Sequence, residues 1–137
     1  YNSVLRVMRG ANALLRPGNT PNEYQQQVIE LMEKELVDLK LIDAKAAKNQ
    51  GPDKPLVKKY FMHGTSHHLG LDVHDVFPPH QPFGVGMVFT IEPGIYIREE
   101  NMGVRLENDV IIGENGNFDL MRNIPIEADE IEDLMNR

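Results

Sequence analysis

The sequence contains no cysteine in its 137 residues. That one absence excludes disulfides, thiolate metal sites and a cysteine nucleophile together, and it leaves the redox compartment open. No apolar run approaches the ~20 residues that cross a bilayer, and no signal-peptide pattern opens the chain. A soluble protein without a membrane partner, in the cytoplasm, is the expectation. Basic residues are scarce: 14 Lys and Arg against 21 Asp and Glu give a formal charge of -7. Such a balance lacks the basic stripe of a general nucleic-acid binder, so no nucleic-acid partner is expected. A serine nucleophile elbow, a P-loop and a dinucleotide glycine fingerprint are all missing, as are internal repeats and low-complexity tracts. What remains is ordinary globular composition, 41% hydrophobic and 26% charged, in a length suited to a single domain. The first residue is Tyr1 rather than methionine, which fits a processed product or a piece of something longer.

Helical periodicity dominates the first third. Val4, Met8, Ala11 and Leu15 recur on one face of a helix predicted over residues 3–16, which ends where Arg16-Pro17-Gly18 cannot continue it. Thr20-Pro-Asn-Glu23 is a capping box with proline at the first helical position. It opens a second helix whose Tyr24, Val28, Leu31, Met32, Leu36 and Leu39 form a core stripe reaching about Leu41. From Asp43 to Pro55 the period is lost, and a surface connection with a short helical turn near 44–48 is expected. Further on, Phe77-Pro78-Pro79-His80-Gln81-Pro82 is too proline-rich for a helix or a central strand, and His80 should be exposed on it. The C-terminal end reads as a turn at 113–117, followed by a short helix with Ile131, Leu134 and Met135 facing inward.

Four of the five histidines fall between His63 and His74. His63, His67, His68 and His74 are interleaved there with Asp72, Asp75 and two glycines, and imidazoles with carboxylates make metal ligands and proton carriers. Gly64 and Gly70 lower helix propensity, so a strand or loop within an apolar Phe61, Leu69, Leu71, Val73 frame is expected. A second signal is Glu92, a carboxylate inside the β-type run Met87–Ile97. An unpaired buried carboxylate is costly, so it must find a cation, a donor network or a proton, and Pro93-Gly94 would break the ladder there. A third is the strand Val104–Ile112, whose period of two turns Arg105, Glu107 and Asp109 one way and Val104, Leu106 and Val110 the other. Imidazoles plus carboxylates without thiolates suit divalent Mn, Co, Fe or Zn, and metal-assisted hydrolysis is the chemistry they support most directly.

Taken in order, His63-Gly-Thr-Ser-His67, Leu71-Asp-Val-His74-Asp75, Thr90-Ile-Glu92-Pro93-Gly94-Ile-Tyr96 and Val104-Arg105-Leu-Glu107-Asn-Asp109 resemble the Xaa-Pro aminopeptidases of the pita-bread metallopeptidase family. The resemblance runs from Tyr1 to the C-terminus. It implies an α+β fold, the C-terminal part of a pita-bread domain: a curved antiparallel sheet with two long helices packed on one face. It also implies two divalent ions, usually Mn2+ with Co2+, Zn2+ and Fe2+ as alternatives. On the family pattern His67 and Glu92 hold one ion and Glu107 bridges both. His74 hydrogen-bonds the substrate and the developing oxyanion, His63 lines the proline side, Glu92 exchanges a proton with a bridging hydroxide, and Arg105 orients Glu107 and reaches toward substrate. Peptides with proline in second position are the implied partners, with further copies of the chain as a homo-oligomer.

That pattern also takes two aspartates from a strand pair upstream of the first helix. Asp72, Asp75 and Asp109 stand in the wrong motifs to replace them, and a structural role is expected of each. Residues 1–137 are therefore expected to be the C-terminal half of a catalytic domain, inactive alone and prone to self-association. Ser66 before the ligand histidine favours an Xaa-Pro aminopeptidase over a prolidase, and a non-catalytic peptide-binding relative is the reading of a different class. A large aromatic often follows the ligand histidine in the aminopeptidases, so His68 leaves open whether it shapes the substrate pocket.

Overall fold

The computed structural model describes residues 1–51 and 55–136. Helix α1 (Asn2–Leu14) and helix α2 (Pro21–Asp38) form one layer. The capping box forms as the residue types require: Thr20 Oγ1 accepts from Glu23 N–H at 3.4 Å, and Glu23 Oε2 accepts from Thr20 N–H at 3.0 Å. The predicted stripes are buried at Val4, Met8, Ala11 and Leu15 on the first helix and at Tyr24, Val28, Met32 and Leu36 on the second. Leu39 is exposed instead, because α2 ends at Asp38 and Lys40 takes a positive φ of 60° that turns the chain away. The short helical turn is α3 (Ala44–Asn49), capped by the Asp43 carboxylate on Ala46 N–H at 2.8 Å. Pro52 of that connection lies outside the described residues.

The strands are β1 (Val88–Ile91), β2 (Gly94–Ile97), β3 (Met102–Arg105), β4 (Asn108–Ile111) and β5 (Phe118–Asp119). They group as an antiparallel β1-β4-β5 sheet and an antiparallel β2-β3 pair. Both expected long strands are cut, one at Glu92-Pro93 and the other at Leu106-Glu107. Yet one register runs through the cut, with Ile91 opposite Asn108 on one side and Gly94 opposite Arg105 on the other. The ladder is thus a single bent ribbon. Pro93 has no N–H to donate, and across from it Leu106 N–H reaches the Pro93 carbonyl only at 3.4 Å.

Phe89, Ile91, Val110 and Ile112 close the core against α1 and α2. The segment 113–117 is tied to the end of α1 by Asn117 Nδ2, which donates to the carbonyls of Asn12 at 3.0 Å and Leu15 at 2.7 Å. Helix α4 (Ala128–Met135) departs from expectation, since it has no buried residue and, of the three residues expected to face inward, Leu134 and Met135 are exposed and Ile131 is half-covered. Among the described residues no helix is long and apolar enough to cross a membrane.

Candidate metal centre

The histidine stretch is extended and runs antiparallel along the free edge of β1. Leu69 N–H donates to Val88 O at 3.0 Å, Thr90 N–H to His67 O at 3.1 Å and Glu92 N–H to Thr65 O at 2.7 Å. Opposed residues of an antiparallel ladder share a face, so His67, Thr90 and Glu92 fall together. The register on the other side of β1 does the same for Glu107, which lies across from Glu92 at the bend. Three chain segments are brought to one point by strand periodicity alone. One ligand atom each from His67, Glu92 and Glu107 lies within 4.8 Å of the others.

The same stretch is anchored to α2. Tyr24 hydroxyl and Ser66 Oγ are 2.8 Å apart, and the backbone N–H of Thr65 donates to Gln25 Oε1 at 2.8 Å. His68 turns inward, its ring centroid 5.2 Å from Phe89 and 5.5 Å from Phe77. It therefore packs against the core aromatics. The expected apolar frame holds at Phe61, which is fully buried, and fails at Leu71 and Val73, which are 103% and 68% exposed.

The polar geometry at the cluster asks for a cation. His67 Nδ1 donates to the His68 carbonyl at 3.3 Å, and the other ring nitrogen, Nε2, lies 3.4 Å from Glu92 Oε1. Glu92 also accepts from Thr90 Oγ1 at 3.3 Å, and the same Oγ1 accepts from His67 N–H at 3.1 Å. Among the described residues Arg105 is the positive side chain beside the cluster, 3.8 Å from both Glu92 and Glu107. That distance gives Coulomb attraction without a hydrogen bond. His67 Nε2 and the Glu92 and Glu107 carboxylates thus face one another, and Glu92 is only 15% exposed at its side chain. Such a set suits a proton or a divalent ion, and an imidazole Nε2 with two carboxylates is a normal donor set for the latter.

Around this centre the remaining residues take separate places. His74 lies against His67 with ring centroids 4.2 Å apart and the ring planes tilted by 41°, and it is exposed. His63 donates from Nδ1 to the Gly64 carbonyl at 2.7 Å, so its Nε2 accepts from the Tyr96 hydroxyl at 2.8 Å. Asp109 stands opposite Thr90 on the ladder, Asp72 and Asp75 sit in the loop beyond His68, and His80 is exposed beside Asn22. Tyr96, Thr90 and Tyr24 went unremarked as contributors in the sequence. Period two from Glu92 through Gly94 to Tyr96 was the available signal for Tyr96, whose ring would collide with a Cβ at either Gly94 or Gly103.

Residues 1–114 match the metallopeptidase family M24. The chain belongs to that family. It is 37% identical over 148 aligned positions to the Xaa-Pro aminopeptidase of Haemophilus influenzae, covering 99% of this chain and 34% of that protein. Among solved structures, the zinc-substituted aminopeptidase P of Escherichia coli in complex with product matches with a TM-score of 0.81 and 35% identity, over 98% of this chain and 33% of that one. Aminopeptidase PepP of Pseudomonas aeruginosa matches at 0.82 and 32% identity, over 99% and 34%. This chain thus spans about a third of the length of these M24 relatives, and its α+β fold is the C-terminal part of their pita-bread fold.

Proposed function

We propose that this M24 chain supplies His67, Glu92 and Glu107 to a divalent-metal site, first of all for Mn2+, in an enzyme that removes an N-terminal residue from a following proline. The observation that carries the reading is the convergence of those three acceptors within 4.8 Å, with Arg105 beside the two carboxylates but too far to satisfy them. Bound ions would supply Lewis acidity and a water acidified for attack on a peptide carbonyl. The side chains supply the rest. Glu92 takes the proton lost in that attack and returns it to the leaving proline nitrogen. His74, tilted against His67 and exposed, donates to the oxygen that gains charge at the tetrahedral carbon. His63 is held in one orientation by the Gly64 carbonyl and the Tyr96 hydroxyl and flanks the proline side. Arg105 keeps Glu107 turned inward and reaches toward substrate.

Three donors suffice for one ion and not for a pair, so in this reading two further carboxylates come from a segment upstream of Tyr1 and residues 1–137 form the C-terminal half of the catalytic domain. Further copies of the chain complete a homo-oligomer. Elemental analysis and hydrolysis of a tripeptide with proline second, run on this chain and on the protein extended upstream, test the reading. The extended protein should hold two ions and turn over, and residues 1–137 should hold one weakly and be inactive. Turnover of the matching Xaa-Pro dipeptide alone would make it a prolidase, and no hydrolysis with either peptide would leave a peptide-binding role.

A further inference from the structure

The loop that carries His74 is not held by apolar packing. Its Leu71, Val73 and Val76 side chains are 103%, 68% and 87% exposed, which leaves polar contacts to set its shape. One carboxylate makes them. Asp75 Oδ2 accepts from Leu71 N–H at 2.8 Å, and Asp75 Oδ1 accepts from Val76 N–H at 2.8 Å. The Asp75 N–H donates in turn to the His68 carbonyl at 3.1 Å, and Gly70 N–H donates to Asp72 O at 3.2 Å. Asp75 therefore ties the start of the turn at Leu71 to its end at Val76, and anchors both to the strand-like stretch that holds His67. The Val76 and Leu71 amides, in that order, hold its carboxyl below the usual carboxylate range, so it is the anion at neutral pH.

Gly70 is part of the same device. A Cβ at Gly70 would lie 1.9 Å from Asp75 Oδ2, and Gly70 is not among the positive-φ residues. Glycine is required there because of the carboxylate, and not because of the backbone. His74 is the neighbour of Asp75 and lies at the far side of this closed turn, its ring 4.2 Å from that of His67.

We propose that Asp75, seated against Gly70, is a positioning residue that fixes the His74 imidazole over the metal ligand His67. The proposal rests on the reading of His74 as the donor to substrate, and it makes two residues outside the ligand set necessary for that donor's geometry. The carboxylate acts through the loop and touches neither ion nor peptide. Displacement of a donor by about 1 Å can cost up to ~100-fold in rate, whereas the ligand donors, held by β1, stay in place.

The experiment uses Asp75→Ala, Asp75→Asn, Gly70→Ala and the Gly70→Ala/Asp75→Ala pair. In residues 1–137 the readouts are the NMR signals of the His74 and His67 rings, amide exchange at Leu71 and Val76, and the thermal midpoint. In the upstream-extended protein they are metal content, kcat and KM. Each single variant should raise exchange at both amides by roughly tenfold and move the His74 ring signals, with the thermal midpoint and metal content unchanged. In the extended protein kcat should fall by roughly 10- to 100-fold at constant KM. Gly70→Ala should cost nothing further once Asp75 is alanine, because the obstacle has gone. Unmoved His74 signals in Asp75→Ala, loss of metal together with rate, or simple addition of the two single effects would each overturn the proposal. A wild-type extended protein without peptidase activity would sink the functional reading instead, while the ring signals and amide exchange would still decide whether Asp75 positions His74.

Discussion

Tyr24→Phe removes one oxygen atom from the core and tests whether helix α2 sets the metal site. Tyr24 is 2% exposed, and its ring, edge-on to Phe83 with centroids 5.8 Å apart, is kept by phenylalanine, so no cavity opens. What is lost is the 2.8 Å contact with Ser66 Oγ, one residue before His67. A neutral hydrogen bond contributes about 0.5–1.5 kcal/mol net; Ser66 is half-buried and can turn to water, which sets the stability loss near 1 kcal/mol. Groups that orient a ligand histidine from behind alter metal affinity by about 10- to 100-fold. Gln25 on Thr65 and Thr90 on His67 remain in place, so the lower figure applies, about tenfold or ~1.4 kcal/mol. Urea unfolding with and without saturating Mn2+ measures both, since a ligand adds stability as the logarithm of its excess over Kd. The Mn2+ increment should be smaller in the variant by about 1.4 kcal/mol. Burial also raises the Tyr24 phenol pKa above its usual value. A raised folded-state pKa gives stability that is present below the unfolded value near 10 and lost as pH climbs past it. Wild type and variant should therefore run parallel from about pH 6 to 9, and above about pH 10 the wild type alone should show the Tyr24 loss. An unchanged Mn2+ increment in Tyr24→Phe would refute the claim that α2 positions the ligand.

Other expectations are simpler to state. Arg6 donates twice to the buried Glu35, at 2.9 and 2.6 Å, across the α1–α2 contact; Arg6→Ala should lower stability in urea unfolding, by less than for a fully buried pair because Arg6 itself is half in water. The Arg6 hydrogen bonds also hold the Glu35 carboxyl below its usual range, so this stabilisation should be whole above about pH 4.3 and fade as pH falls through the lower folded value, with the Arg6→Ala titration flat across that window. In the upstream-extended protein, His74→Ala should keep its metal and lose about 100- to 1,000-fold in kcat, an apo protein being the contrary result. Tyr96→Phe should free the His63 ring, read as altered His63 NMR signals and a raised KM with kcat little changed.

The parts legible in sequence are those where a local rule and the tertiary environment agree. The α2 start needed only Thr20, Pro21 and Glu23, and its cap forms as written. Glu92 was legible for a related reason: a carboxylate in an apolar run beside Pro93 has few physical explanations, and it lies 15% exposed facing His67. The second break was not legible, because Val104 to Ile112 holds no proline or glycine and its alternation continues across Leu106-Glu107. Its cause sits on the partner strand. Pro93 removes a ladder donor opposite Leu106, and only the register, unknown before strands are paired, transfers that interruption from one strand to the other.

Hydrophobicity misled the sequence reading where a loop is shaped by polar atoms. Leu69, Leu71 and Val73 look like the alternating face of a buried strand, yet the Asp75 carboxylate takes the amides of Leu71 and Val76 and bends the segment away from the ladder just where it would have continued. The same argument runs the other way at residues 65–69. There the backbone does pair with β1, and the apolar-looking alternation resolves into His67 toward the acceptor cluster and His68 among Phe77 and Phe89. Two adjacent histidines thus meet opposite environments because strand periodicity, and not imidazole chemistry, separates them. Ligation should follow the periodicity: exchanging Ser66 and His67 would keep the composition of the motif and lose the site.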